Sequence, residues 1–560
     1  MSYAFKGKSD EQITKFLLGN HGQLESRRKQ FEPLWELENK IFRPRRADFL
    51  GGPESDGKQY GAKIYDGYPQ NVMLKFCVGF LSYLISRRTP FLQFVVEDNS
   101  LMDNDDVKKY LQACTEQITF GINKSSAFTA LKQFMPDYAT TGTAVIISEK
   151  DYKRDRISFV TRHPKRNYIA DDRFGKPEVY HSPISITASM AIEMFGEDEL
   201  PQEIIKASER NPFQKYDFIY CVYPNDGYVE GALDKNRQRY KEFYLYQGGS
   251  KESKIVYSGG RKSFPIIGRM GKDEECEYGM SLAADALTEA LFSNKLGEKK
   301  LIAAHKAVEP PMLVHGELRG ELHTGANGRT YTSDMASKIA RPLIENINWP
   351  LAENEQELLH KSIDDKFYVR LFNLFAGREG PQITMYEAQR MIGEQASLLA
   401  TVLDDFEPDV LDNMVDVVWD NETEAGRMPE APDILFGDSG IADVKTKYTG
   451  RLAQLQRSIT SQDSFVNALG ILKEIAGIFG PQALMKVKVE SFMEDLLIPI
   501  GVPQKDLLTD DEFAKVQSMA MAQQRQQEQA QMMLEGAKAV PSLQKTTEKG
   551  SPLEAITNAA

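Results

Sequence analysis

Ser439 lies in the tetrapeptide Gly437-Asp438-Ser439-Gly440, which looks like the nucleophile segment of trypsin-like serine proteases. Such a hydroxyl becomes a nucleophile only with a base in reach, an acid orienting that base, and a many-stranded β setting to hold all three. The pattern around it predicts helices instead, so a turn with a helix N-cap is expected. A second candidate is Gly7-Lys8-Ser9, which approaches the end of a phosphate loop, GxxxxGK[ST]. The first glycine position holds Ser2 and no strand is predicted before it. The segment therefore reads as a solvated tail before a helix cap, not as a nucleotide site.

Metal chemistry finds no better footing. The seven histidines, His21, His163, His181, His305, His315, His323 and His360, form no HExxH motif and no Cys/His cluster. His315 and His323 share a turn-rich stretch where surface or inter-subunit hydrogen bonding is expected. Cys77, Cys114, Cys221 and Cys276 are far apart with no CxxC spacing, which argues against a zinc site and a disulfide framework and fits a reducing compartment. The acidic pairs Asp105-Asp106, Asp364-Asp365 and Asp510-Asp511 lack a third ligand at two-metal spacing, so solvated charged faces are expected. Aromatic residues do not interleave with basic ones, and no single-strand stacking platform results. No catalytic residue, cofactor or metal is expected, and a structural role is favoured.

The elements that would position any site follow from periodicity. Ser9 with Gln12 reads as a capping box for a helix carrying Phe16, Leu24, Phe31 and Leu34, with Arg27, Arg28 and Lys29 between them, ending before Pro44. A Gly/Pro/Ser/Asp-rich loop covers residues 51–61. Asp66 and a turn at 67–69 then precede an amphipathic stretch with Leu74, Cys77, Leu81 and Leu84 on one face. From Ala144 the short runs AVIIS, ISFVT, FIYCVY and EFYLY predict strands, with a helical insertion at 187–210. After Gly279 about two dozen residues read as helix up to Pro310-Pro311. A turn-rich module at 312–349 follows, then a second helix after Pro350 through Leu358, Ile363, Phe367, Leu371 and Phe375. Gly377-Arg378-Glu379-Gly380-Pro381 breaks that helix, and Thr384 with Glu387 caps a third. Helices are expected at 442–479, at 481–497 and after Thr509, and a disordered tail at 536–560.

The bulk numbers agree with a folded, multi-part protein. Its 560 residues include 41% hydrophobic and 27% charged, a globular balance for two to four structural units. The N-terminal segment has no apolar h-region, and the longest apolar run, 72–85, is broken by Lys75. A cytosolic chain with no membrane partner is expected. A net charge of −13 disfavours tight grip on phosphate and does not exclude a protein past which nucleic acid slides.

Several fragments carry a family pattern in order: RRKQFEPLWELENKIFRPR at 27–45, KIYDGYPQNVMLKFCVGFLSYLISRRTPFLQF at 63–94, TGTAVI at 141–146 and HPKRNYIADDRFG at 163–175. EYGMSLAADALTEALFSNKLGEKKLIAA at 277–304, GREGPQITMYEAQRMIGEQ at 377–395 and GVPQKDLLTDDEFAKVQSMAMAQQRQQ at 501–527 continue it. Together they resemble the portal, or head-to-tail connector, family of short-tailed bacteriophages (podoviruses) over nearly the whole chain.

The resemblance implies an α+β, predominantly helical fold in which 1–280 is the N-terminal α+β part of a wing, 281–307 and 350–376 are two stem helices, and 308–349 is a clip. It implies a channel loop at 377–383, a long helix returning to the wing at 384–445, and a helical crown at 446–535. About twelve copies would form a ring at one capsid vertex of the virion, passing double-stranded DNA in packaging and ejection. The partners implied are the terminase large subunit, then a tail adaptor protein, with the major capsid and scaffolding proteins around the ring. On this reading Arg378 and Glu379 with Lys295, Lys299, Lys300, Lys361, Lys366 and Arg370 would ring the DNA channel, and Arg319, Arg329, Lys338 and Arg341 would lie on the clip docking surface. The alternatives are another head-tail adaptor ring or scaffold component, and a terminase-type DNA-processing enzyme, which the missing phosphate loop disfavours.

Overall fold

In the computed structural model, residues 5, 7–46, 63–85, 87, 91–102, 104–151, 156–229, 231, 234–248, 253–308, 312–313, 341–342, 349–369, 372, 399, 401–437, 440–441 and 444–449 are described. The chain divides into two units, 1–456 and 457–560, and every described residue belongs to the first.

The N-terminal helix begins as its sequence demands. Ser9 accepts from the Gln12 N–H and Gln12 returns a bond to the Ser9 N–H, so α1 (Asp10–Arg28) opens on a complete capping box. It does not run on to Pro44. The chain breaks at Lys29 and restarts as α2 (Glu32–Phe42) with Pro33 in its first turn. The inward face also differs from the expected stripe: Ile13, Leu17, His21, Leu24 and Arg28 are buried, whereas Leu34 is exposed. Arg28 is held inside by Glu32 at 2.6 Å and by the Lys165 carbonyl, which satisfies a buried guanidinium that charge patterning alone places in solvent.

Along the chain follow α3 (Tyr68–Leu84), β1 (Leu92–Val96), α4 (Asn99–Met102), α5 (Asp105–Lys124) and α6 (Ala127–Thr141). On α3 the buried face is Val72, Phe76, Cys77, Phe80 and Leu84, and Leu74 is exposed, a turn of the face away from the expected one. Then come β2 (Thr143–Asp151), β3 (Arg156–Arg162), β4 (Tyr168–Asp171) and β5 (Pro177–Thr187). The helical insertion is α7 (Ala188–Phe195) and α8 (Gln202–Arg210), after which β6 (Lys215–Pro224), β7 (Tyr240–Tyr246), β8 (Lys254–Arg261) and β9 (Ile266–Arg269) complete the strands of this region. The helices α9 (Leu282–Asp285) and α10 (Leu287–Val308), the short pair β10 (Met312–Leu313) and β11 (Arg341–Pro342), and α11 (Trp349–Lys366) come next. A π-helical turn (Glu407–Asp412) leads into α12 (Asn413–Glu424), and β12 (Phe436–Gly437), β13 (Gly440–Ile441) and β14 (Val444–Tyr448) close the described chain.

The protein is therefore a mixture of helix and sheet. The antiparallel sheet β4-β5-β6-β7-β8 is covered on both faces because its side chains alternate between two cores. Phe218, Tyr220 and Val222 of β6 join α7 and α8 on one side. Ile219, Cys221 and Tyr223 meet α1 and Phe5 on the other. The smaller sheet β3-β2-β9 backs onto α6, and Arg269 of β9 ties the two sheets together through Asp171, with contacts of 2.7 and 2.8 Å.

The largest core joins α2, α3, α5, α6, β1, the roots of α10 and α11, and α12. Phe76, Phe80, Phe134, Phe367 and Phe406 are fully buried in it, each contributing on the order of 2–3 kcal/mol by area. Where α6 ends, Gly142 takes a left-handed φ of +67° and its backbone touches that of Gly279; a Cβ there would lie 2.3 Å from the Gly279 carbonyl oxygen.

Two expectations near the end of the unit are corrected. Residues 444–448 form β14, which pairs antiparallel with β1, so the helix expected from 442 does not begin there. The alternating sequence VKTKY supports a strand, and its partner lies about 350 residues earlier, beyond any local pattern. Gly437 pairs antiparallel with Gly440, so the two ends of the GDSG tetrapeptide lie in the short strands β12 and β13, where a helix N-cap is expected from the sequence.

Candidate functional site

Two long helices follow Gly279 and meet side by side. Ser281 caps α9 by accepting from the Ala284 N–H at 2.8 Å. The Ala-, Leu-, Lys- and Glu-rich sequence of α10 then sustains 22 residues of helix, about 33 Å long at 1.5 Å per residue. α11 returns alongside it. Glu289 meets Ser362 and Lys366, while Lys300 meets Gln356 at 2.9 Å, so residue numbers rise on one helix as they fall on the other and the pair is antiparallel. Beyond their ends Met312 and Leu313 pair with Pro342 and Arg341 in a two-residue antiparallel ladder.

One buried carboxylate roots the pair in the body. Asp66, in the loop entering α3, accepts from Ser293 Oγ on α10, from His360 Nε2 on α11 at 2.8 Å and from the Tyr68 N–H at 2.9 Å. The His360 ring stacks on Tyr68 with centroids 3.8 Å apart, and the Tyr68 hydroxyl donates to Asp364 at 2.7 Å. Asn294 accepts from the Tyr65 N–H at 2.8 Å. Burial alone would raise the Asp66 carboxyl; the bonds from Ser293, His360 and Tyr68 outweigh it and hold the group below the usual carboxylate range. Gly297 lets α10 approach this loop closely, since a Cβ there would sit 3.2 Å from the Tyr65 carbonyl oxygen.

Below the anchor, Ile363 and Phe367 enter the largest core, and Phe367 packs at 5.5 Å against Phe42 and 6.1 Å against Phe76. α11 stops with Tyr368 at φ 53°, an uncommon left-handed tyrosine costing about 1–2 kcal/mol that the surrounding core holds in place.

The expected channel residues fall into different settings. Lys366 is half-buried, pairs with Glu289 at 2.5 Å and donates to the Asp285 carbonyl at 2.6 Å, so it braces the two helices. Burial would raise the Glu289 carboxyl, and the contact from Lys366 brings it below its usual value. Lys295 pairs with Glu298 on its own helix, also at 2.5 Å. Lys299 and Lys361 are exposed and make no ion pair among the described residues. Arg370, Arg378, Glu379, Arg319, Arg329 and Lys338 lie outside the described residues, as do Ser439 and the Thr384 and Thr509 caps. Of Arg341 the structure gives the backbone, paired opposite Leu313.

Asp66, Tyr68, Ser293 and His360 do not stand out in the sequence. The one local signal is Asp66 before a Gly-Tyr-Pro helix start, and no short-range pattern connects it to residues more than two hundred positions away. Asp364, expected as part of a solvated acidic face, instead receives the Tyr68 hydroxyl. Among the described residues no group of three or more His, Cys, Asp or Glu could hold a metal ion, and no helix is long and apolar enough to cross a membrane. The arrangement is a long helical hairpin held at its base by buried hydrogen bonds and aromatic packing.

The same helical hairpin carries large apolar residues that stand exposed: Phe292, Leu301 and Ile302 on α10 and Leu358 on α11. The chain is similar to a probable portal protein of Bordetella phage BPP-1, 23% identical over 557 residues, 97% of this chain and 98% of that protein. It is also similar to the portal protein of Salmonella phage epsilon15, 24% identical over 561 residues with the same shares covered. The family model described as bacteriophage head to tail connecting protein matches residues 15–508. With that match spanning most of its length, the chain belongs to the bacteriophage head-to-tail connecting protein family.

Proposed function

We propose that this protein is a phage portal: a ring-forming subunit whose α10–α11 hairpin builds the stem of a channel for double-stranded DNA at the capsid vertex. The observation that carries the reading is the row of exposed apolar side chains on both hairpin helices. A projecting hairpin with Phe292 and Leu358 in water is stable when neighbouring copies cover them, and a closed ring does so for every copy at once. About twelve copies, as the family resemblance implies, make such a ring.

In this reading 1–280 with 384–445 forms the wing, 308–349 the clip, 377–383 the channel loop and 446–535 the crown. Lys299 and Lys361, exposed along the hairpin, repeat around the ring with Lys295, Lys300, Lys366 and Arg370, and Arg378 and Glu379 add a circle of opposed charges. The braced settings of Lys366 and Lys300 assign them first to holding the hairpin. Arg319, Arg329, Lys338 and Arg341 lie on the clip surface that receives the terminase large subunit and afterwards a tail adaptor, and the major capsid and scaffolding proteins surround the wing. No catalytic step is assigned. Negative-stain images of the purified chain test the reading: closed rings with a central hole support it, and compact monomers contradict it.

A further inference from the structure

α7 is apolar on both of its faces. Inward, Ala188 and Ala191 are fully buried while Ile192 and Phe195 pack against the core beneath the five-stranded sheet. Outward, Met190 and Met194, one helical turn apart, are 53% and 44% exposed. The chain leaving α8 lies against the first turn of this helix: the Ser189 N–H donates to the Pro212 carbonyl at 3.2 Å and the Ala188 N–H to the Gln214 carbonyl at 2.8 Å. Between those two carbonyls stands Phe213, 82% exposed. Single apolar residues on a surface are ordinary. Three large ones on one projecting segment, whose other side already serves the core, mark a face made to be covered.

Charge identifies what covers it. Gly196, at φ +79°, ends α7, and Glu197, Asp198 and Glu199 follow, all exposed. Buried Leu200 pins the far end of this acidic run to the sheet core and so keeps it beside the helix. Lys254 stands 4.0 Å from Glu199, and among the described residues Glu197 and Asp198 have no ion-pair partner. A basic segment meets this rim with opposite charge.

We propose that the outer face of α7 with Phe213 is a docking site for a basic amphipathic helix of another protein. The apolar stripe of that helix covers Met190, Met194 and Phe213, and its flanking lysines or arginines meet Glu197, Asp198 and Glu199. The unbranched thioethers adapt to the partner's side chains, and the phenyl ring supplies an anchor.

The probe is a fluorescent Lys/Leu peptide of about five helical turns, with a Glu/Leu peptide and a Lys/Ser peptide as comparisons, titrated with the full-length protein and followed by anisotropy. The Lys/Leu peptide is expected to bind, and the other two to bind far more weakly. Met190→Ser with Met194→Ser and Phe213→Ser should weaken it by about tenfold or more, with the protein's unfolding transition unmoved. Glu197→Lys with Asp198→Lys should weaken it similarly. Glu274→Lys with Glu275→Lys, which changes net charge equally at another exposed loop, should leave it within about twofold. Equal losses in the two charge variants would reduce the effect to net charge and overturn the proposal. So would unchanged binding in the apolar variant, equal binding of the Glu/Leu peptide, or loss of ring assembly in the apolar variant with peptide binding intact, which would give the face to a neighbouring copy.

Discussion

Asp66 and His360 are 294 residues apart in the chain and 2.8 Å apart in space. That single contact, shared with Ser293, fastens both helices of the hairpin to the loop that opens α3. Asp66→Ala leaves the Ser293 hydroxyl, the His360 ring and the Tyr68 N–H without their acceptor. Hydrogen bonds to a charged group are worth about 1.5–3 kcal/mol each, so a loss of at least about 2 kcal/mol is expected. Chemical denaturation reads the loss, and hydrogen exchange should localise it to α10 and α11. Because the Asp66 carboxyl is held low in the folded state, its contribution is complete above the unfolded value near 3.9 and fades as pH falls through the lower folded value. Wild type and variant should therefore converge in acid, and a difference that stays constant down to strong acid would contradict the assignment.

Glu38 behaves in the opposite sense. Its carboxyl is pushed up to about 8 by burial; the Ser281 hydrogen bond at 3.2 Å opposes this and Asp285 adds to it. A carboxyl whose folded value exceeds its unfolded one loses stability as pH rises from the unfolded value through the folded one. Glu38→Gln should thus be neutral below pH 4.5 and progressively stabilising between about 4.5 and 8, by a few kcal/mol at the upper end. Denaturation midpoints at pH 4, 6 and 8 check this, and a variant less stable at pH 8 would refute it.

Gly142 is expected to tolerate no side chain. Gly142→Ala combines φ +67° with a Cβ 2.3 Å from the Gly279 backbone, and about 3 kcal/mol or more should be lost. Gly7 has φ +86° and open space around its Cβ position, so Gly7→Ala should cost only about 1 kcal/mol. Equal costs at the two sites would mean that the close approach to Gly279 does not constrain the fold.

The contrast between what the sequence announces and what it conceals is physical. Ser9 and Gln12 disclose a helix start because a capping box is complete within four residues. The runs through Ile146, Phe159 and Tyr220 disclose strands because β-branched and aromatic runs bounded by turn residues are a local pattern. The break at Lys29 and the inward turn of Arg28 depend on carbonyls near Lys165, and the outward turn of Leu74 depends on which side of α3 the core occupies. Val444–Tyr448 becomes a strand because β1 offers it an edge. Among the candidate channel lysines, charge and helical position were legible. That Lys366 would be taken up by Glu289 was not, since pairing across an antiparallel hairpin requires the register of both helices.

Arg378 and Glu379 belong to the proposed channel loop. Alternating positive and negative charge there should touch phosphates weakly, within a screening length of about 8 Å. Arg378→Ala should leave ring assembly intact and alter DNA packaging or retention, and Glu379→Ala should make DNA contact stronger and more sensitive to salt. Packaging by assembled particles and salt-dependent DNA binding by isolated rings separate the two effects. A double alanine variant that packages DNA normally would remove these residues from the channel.

The central claim is that the exposed apolar side chains of the α10–α11 hairpin join copies of this chain into a ring. Light scattering on the wild-type chain and on a Phe292→Asp, Leu358→Asp variant at micromolar concentration measures it most directly. The wild type should have about twelve times the 63.2 kDa chain mass, and the variant should have the mass of one chain while unfolding at an unchanged temperature. A wild type that stays monomeric, or a variant that assembles as fully as the wild type, would contradict the account.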